Sequence, residues 1–150
     1  MFYEFGDVVE YNLTMIRGDT LSFGIEFEGL AQELETAYFT CKSSYDDTTP
    51  LFEKSLGAGI HHLEDNYYGV RIAPEDTENL EAGKYYYDLE ISVNGDVFTV
   101  MKGYLELVPD VTHGKSHGNP SDDTDFSITL IMEGANVSVV DETLIIEEVE

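Results

Sequence analysis

The chain has 150 residues, enough for one domain with a sizeable core, and its 31 acidic and 7 basic residues give a net charge of −24. This charge argues against binding to nucleic acid, which needs Lys and Arg to displace counterions from phosphates, and against docking on an anionic membrane. Its single cysteine excludes an internal disulfide. Residues 1–12 carry acidic side chains where a secretion signal needs basic ones, so we expect a soluble protein made in a cytoplasm.

Alternation of apolar and polar residues, the pattern of a half-buried β-strand, recurs along the first 108 residues. Asn94 and Gly95 predict a tight hairpin turn, because both residue types tolerate a positive φ. The strand after the turn is expected to place Val97 on the same face as Met101. The predicted strands cover residues 21–27, 37–42, 51–56, 68–72, 85–93 and 96–108.

The segment from Pro74 to Tyr85 resembles the corner between strands E and F of immunoglobulin-like domains. Pro74 opens a short helical turn, and Gly83 then leads into a core strand. In that corner a tyrosine hydroxyl bonds to backbone a few residues upstream, so the resemblance assigns this role to Tyr85; the alternative is a simple core aromatic. We predict an all-β fold, an immunoglobulin-like β-sandwich of about seven strands over residues 1–110.

The composition changes after the sandwich. Residues 111–125 are rich in Gly, Ser, Asn, Pro and acid and predict a flexible linker. Residues 126–150 form an acidic C-terminal β-tail, predicted as a small β-meander or arm that packs on the sandwich or on another subunit. We expect deletion of residues 121–150 to leave a folded sandwich and abolish self-association. The candidate partner-binding residues are Ile128, Leu130, Met132, Leu144 and Ile146.

The triplet Arg17-Gly18-Asp19 has two interpretations. A cell-attachment signal requires the triplet to be exposed at a loop tip outside a cell. Alternatively, Gly18 and Asp19 form the tight corner between a strand that ends near Ile16 and the strand that follows, since Gly supplies permissive dihedrals and Asp can bond its own backbone. Because no secretion signal is evident, we favour the structural corner formed by Gly18 and Asp19.

Metal sites are not supported by the spacing of potential ligands. His113 and His117 are four residues apart, but the glycines and proline around them disfavour a helix, and no third ligand is evident. The acidic pair Asp46 and Asp47 and the cluster at residues 122–125 suggest calcium, yet neither fits the twelve-residue calcium loop. We therefore predict no metal and no cofactor.

Catalytic motifs are equally absent from the sequence. Cys41 lies on the apolar face of a predicted strand, which is typical of a small core residue. The chain lacks a Gly-x-Ser-x-Gly elbow, a His-Glu-x-x-His motif and a phosphate loop. We predict that the protein is not an enzyme.

A more specific resemblance is carried by three segments in order: "IRGDTLSFGIEFEGL", "AYFTCKSS" and "YYGVRIAPEDTENLEAGKYYYDLEISVNGDVFTVMKGYLELVPDVT". Over residues 12–112 they resemble the immunoglobulin-like domain of tailed-phage and prophage structural proteins and are similar to the N-terminal module of upper baseplate proteins. The resemblance implies a tail- or baseplate-associated virion protein, assembled in the bacterial cytoplasm. It also implies that the partners are other phage structural proteins and further copies of the chain.

The alternative hypothesis is a carbohydrate- or calcium-binding β-sandwich. Sugar sites on sandwiches present exposed aromatic rings, and Tyr38, Tyr67 and Tyr86 lie off the core-facing alternation. The absence of Trp, the best stacking platform, weakens this alternative.

Overall fold

The computed structural model describes residues 8–30, 32–112, 125–133 and 136–144, and for residues 131–133 and 136–144 it describes the backbone alone. Within these ranges the chain is almost entirely β-strand, with one helical turn. The elements are β1 (Val9–Glu10), β2 (Leu13–Ile16), β3 (Leu21–Glu28), β4 (Thr36–Lys42), β5 (Phe52–Leu56), β6 (Gly59–Glu64), β7 (Tyr67–Ile72), α1 (Pro74–Thr77), β8 (Gly83–Val93), β9 (Asp96–Val108), β10 (Phe126–Glu133) and β11 (Asn136–Leu144).

The strands follow one path, β1-β9-β8-β4-β5-β6-β7-β3-β10-β11, with β2 also paired to β9. The path curls on itself, so that rings from its two halves meet in the core: the centroids of Phe23 on β3 and Phe39 on β4 are 6.1 Å apart. The segments β9-β8-β4-β5 and β6-β7-β3 reproduce the G-F-C-C′ and D-E-B strand orders of an immunoglobulin sandwich. The predicted all-β, immunoglobulin-like fold is confirmed.

The hairpin between β8 and β9 turns where the sequence predicts it. Asn94 and Gly95 both have positive φ, 54° and 84°, as a two-residue hairpin turn requires. The register beyond the turn shifts between Leu89 and Glu90, which is the mark of a β-bulge. An extra residue in β9 reverses the alternation there, so Met101 is buried while Val97 is 62% exposed. The prediction that Val97 and Met101 lie on the same face of the strand was therefore wrong.

The first C-terminal strand is part of the sandwich. β10 runs parallel to β3, in the place beside strand B that strand A takes in immunoglobulin domains. Phe126, Ile128 and Leu130 are buried between the layers, and the ring of Phe126 stacks 5.2 Å from that of Phe23. A strand that fills the core in this way is not a separable tail.

This placement corrects two of the candidate partner-binding residues. Ile128 and Leu130 are fully buried in the chain's own core and offer no surface to a partner. Met132 lies on β10 and Leu144 on β11, in the part described by backbone alone, and Ile146 lies outside the described residues. β10 and β11 pair antiparallel, and β11 is one continuous strand from Asn136 to Leu144. Residues 113–124 of the predicted linker also lie outside the described residues.

Candidate functional site

The corner at Gly18 and Asp19 has the predicted geometry. Gly18 has a φ of 83°, a conformation that favours glycine, and the Asp19 N–H donates a 3.0 Å hydrogen bond to the Ile16 carbonyl. The Gly18 N–H also donates to the Thr77 hydroxyl at 2.8 Å, and Thr77 is fully buried at the end of α1. The corner therefore carries the chain from β2 to β3 and is fastened to the helical turn.

The Arg17 side chain is held inside the same region of the fold. Its Nε donates to Asp110 Oδ1 at 2.9 Å, and its Nη1 donates to the Leu80 carbonyl at 3.1 Å. The guanidinium that a cell-attachment triplet must present to a receptor is thus bound to the chain itself. This geometry supports the structural interpretation of the triplet.

Replacement of Arg17 by alanine is expected to lower the free energy of unfolding by about 1–2 kcal/mol, since hydrogen bonds to charged groups are lost from a partly buried site. Urea denaturation would measure the loss. Arg17→Lys, which keeps the charge but not the forked donor geometry, should recover only part of it. Unchanged stability of Arg17→Ala, together with loss of cell attachment to a surface coated with the protein, would favour the adhesion hypothesis instead.

Tyr85 makes the hydrogen bond expected of a tyrosine corner. Its hydroxyl donates to the carbonyl of Glu81 at 2.6 Å, four residues upstream. Both corners of the molecule, at Gly18 and at Tyr85, thereby converge on the segment around α1. They position the strands that flank α1.

A groove lies on the outer face of β4, β5 and β8, beside the loop of residues 43–50, and has a volume of about 560 Å³. Alternation along β4 creates it: Phe39 and Cys41 point into the core, while Tyr38 and Thr40 point outward. The strand register places Tyr38 opposite Glu90 and Thr40 opposite Asp88. Residues from adjacent strands therefore form one continuous polar and aromatic surface.

Four tyrosines line this groove: Tyr38, Tyr45, Tyr86 and Tyr87, of which Tyr87 is buried and belongs to the core. Tyr38 is 37% exposed and Tyr45 is 62% exposed, and the centroid of the Tyr45 ring lies 4.7 Å from that of Tyr86. Of the tyrosines singled out in the sequence, Tyr38 and Tyr86 are thus brought together, while Tyr67 lies elsewhere and its hydroxyl is 2.8 Å from that of Ser127. The sequence analysis did not identify Tyr45, because this residue lies in a loop where apolar and polar residues do not alternate.

The same groove carries three carboxylates, from Glu53, Asp88 and Glu90. Glu53 accepts a 2.7 Å hydrogen bond from the Thr40 hydroxyl. Desolvation raises the pKa of Asp88 above its usual value, and nearby Glu53 raises it further, against the opposing effect of Lys42. The groove therefore combines aromatic rings with carboxylates, one of which is short of solvation.

The described residues outside the groove contain no metal-binding cluster and no exposed thiol. Among the described residues, no three His, Cys, Asp or Glu side chains are grouped so that they could hold a metal ion. His113 and His117, and Asp122 and Asp123 of the acidic cluster, lie outside those residues. Cys41 is fully buried, and desolvation raises the pKa of its thiol to about 12, which makes it a poor nucleophile at neutral pH.

The described part of the chain contains no helix that is long and apolar enough to cross a bilayer.

No protein-family model matches the sequence, and no curated protein matches it. Among solved structures, the chain is similar to the NK cell receptor NKp44, which is described as a triggering partner in natural cytotoxicity. The two are 13% identical, the match covers 68% of this chain and 99% of that one, and the TM-score is 0.40.

Proposed function

We propose that the chain is a non-catalytic structural module of a phage or prophage virion that works by binding other proteins. The observation that carries the binding function is the groove, in which Tyr38 and Tyr86 of the open sheet face meet Tyr45 of the adjacent loop. Tyrosine is enriched at protein interfaces, because its ring buries apolar area while its hydroxyl keeps a hydrogen-bonding end. The tail or baseplate context comes from the sequence resemblance over residues 12–112.

Self-association is proposed to use the strand edge at the C-terminal end of the sheet. Within the described residues β11 forms a strand pair only with β10, and it also approaches β1. We propose that the unpaired part of its edge accepts a strand from a second copy. Light scattering after size exclusion, with and without a calcium chelator, tests this proposal. A discrete oligomer whose molar mass is the same with and without the chelator would support it. A monomer whose stability depends on calcium would favour the calcium-binding alternative.

The virion assignment can be tested in the organism that produces the protein. After phage induction, particles purified on a density gradient should contain the chain, as detected with an antibody raised against it. A known capsid protein serves as the positive control and an abundant cytoplasmic enzyme as the negative control. Presence of the chain only in the soluble fraction, at amounts that match the enzyme, would contradict the proposal.

One observation favours the second candidate, a carbohydrate-binding module. Tyr38 and Tyr86 share the groove with Asp88 and Glu90, and carboxylates beside aromatic rings can accept hydrogen bonds from sugar hydroxyls. A glycan array would test it, with saturable binding to one glycan class as the supporting result.

A further inference from the structure

We infer that the groove on β4, β5 and β8 receives a lysine or arginine side chain presented by a peptide segment of the partner, an inference that rests on the protein-binding function proposed above. Three features of the groove support this inference: its negative charge, its aromatic rings and the poor solvation of Asp88.

The charge of the groove is complementary to a cation. Three carboxylates line it, from Glu53, Asp88 and Glu90, against the single ammonium group of Lys42. The whole chain adds a net charge of −24, which attracts a basic segment from a distance and raises its association rate at low salt. Because these carboxylates do not form a cluster that could hold a metal ion, an organic cation with several donors fits them better.

The tyrosines provide the second feature. An ammonium or guanidinium group within about 6 Å of a ring centroid is attracted to the face of the ring. The same sheet face already contains such a pair, since Lys84 Nζ lies 4.4 Å from the centroid of the Tyr104 ring on the neighbouring strand. Tyr45 and Tyr86 offer further ring surface in the groove, with their centroids 4.7 Å apart. A basic side chain can therefore contact rings and carboxylates together.

Solvation of Asp88 provides the third feature. Burial raises the pKa of Asp88, because the loss of solvation of its carboxylate outweighs the attraction of nearby Lys42 in the free protein. The charged groups that face it are Lys42 on β4, Glu53 on β5 and Lys102, its register partner on β9. An incoming cation would stabilise the carboxylate. Binding should therefore weaken as the pH falls through the raised pKa, and this loss should be smaller in Asp88→Asn.

The test is a titration of the isotope-labelled full chain by NMR at low ionic strength. The probe is the capped pentapeptide Ac-Ser-Gly-Arg-Gly-Ser-amide, and the matched probe replaces arginine with the neutral isostere citrulline. We expect saturable shifts of amides on β4 and β8 with the arginine peptide, and at least fivefold weaker binding of the citrulline peptide. Equal binding of the two peptides would overturn the inference.

Two matched variants separate a specific site from general attraction to an acidic protein. Glu53→Gln with Asp88→Asn removes two charges from the groove, while Glu64→Gln with Asp96→Asn removes two charges from exposed positions elsewhere. We expect about tenfold weaker binding for the first pair and less than twofold for the second. Tyr45→Ala, at an exposed loop residue, should also weaken binding without disturbing the fold. Equal losses for both charge pairs, or saturable binding of an uncharged oligosaccharide at the groove in preference to the peptide, would contradict the proposal.

The outcomes also distinguish this inference from the function on which it rests. A chain that is present in purified particles but binds the arginine and citrulline peptides equally leaves the virion proposal standing and rejects the groove chemistry. A chain that is absent from particles but passes the peptide test retains a basic-peptide site and loses its proposed virion role.

Discussion

Removal of residues 121–150 is expected to unfold the domain. The deletion takes away β10, whose buried side chains Phe126, Ile128 and Leu130 pack inside the sandwich. Burial of each such side chain contributes about 1.5–3 kcal/mol, so the three together contribute about 5–9 kcal/mol. A domain of this size is stable by only about 5–15 kcal/mol, and the deletion also exposes the backbone edge of β3 and the ring of Phe23.

Circular dichroism and amide NMR spectra of the shortened chain would measure this effect. We expect loss of the cooperative thermal transition and collapse of amide shift dispersion. The matched control removes only residues 145–150, which leaves β10 and β11 intact and should preserve the transition. A folded, monomeric 1–120 chain would instead support the sequence-based division into a sandwich and an independent tail.

The sequence alone predicts that the sandwich stays folded without residues 121–150, whereas the structure predicts that it unfolds. The difference shows what a local sequence pattern can and cannot specify. Alternation at residues 126–130 identifies a strand with one apolar face, but it does not say which sheet receives that face. The answer is a pairing between β3 and β10, which are about a hundred residues apart in sequence. A strand whose apolar face binds a partner and a strand whose apolar face packs in the chain's own core have the same alternation. For this reason Ile128 and Leu130 were wrongly predicted to bind a partner.

The residues of the groove could be predicted only in part from the sequence. The alternation places Tyr38 and Tyr86 off the core face, and both do line the groove. Their proximity depends on the register of β4 against β8, and Tyr45 reaches them from a loop. The bulge opposite Leu89 is also a tertiary feature, and it exposes Val97 against the simple alternation. Corners were more predictable, because the turn at Gly18 and the bond from Tyr85 to Glu81 depend on residues close in sequence.

Substitution of Phe39 by alanine should produce the largest effect of any single replacement considered for this chain. Phe39 is fully buried, its ring stacks 4.8 Å from that of Tyr87, and it lies 6.3 Å from the ring of Phe52 on β5. Truncation of such a phenylalanine removes transfer free energy and leaves a cavity, with an expected loss of about 3–5 kcal/mol. For a domain of this length the melting temperature should fall by roughly 10 °C.

Tyr38→Ala is the matched control, since Tyr38 is the preceding residue of β4 and points into the groove. Its replacement should change stability by less than about 1 kcal/mol, as expected at a partly exposed surface position. Its effect should appear in the peptide titration instead, as weaker binding. Phe39→Ala, measured well below its melting temperature, should retain binding within about twofold. If Tyr38→Ala were as destabilising as Phe39→Ala, the assignment of opposite faces along β4 would be wrong, and the groove would lose its structural basis.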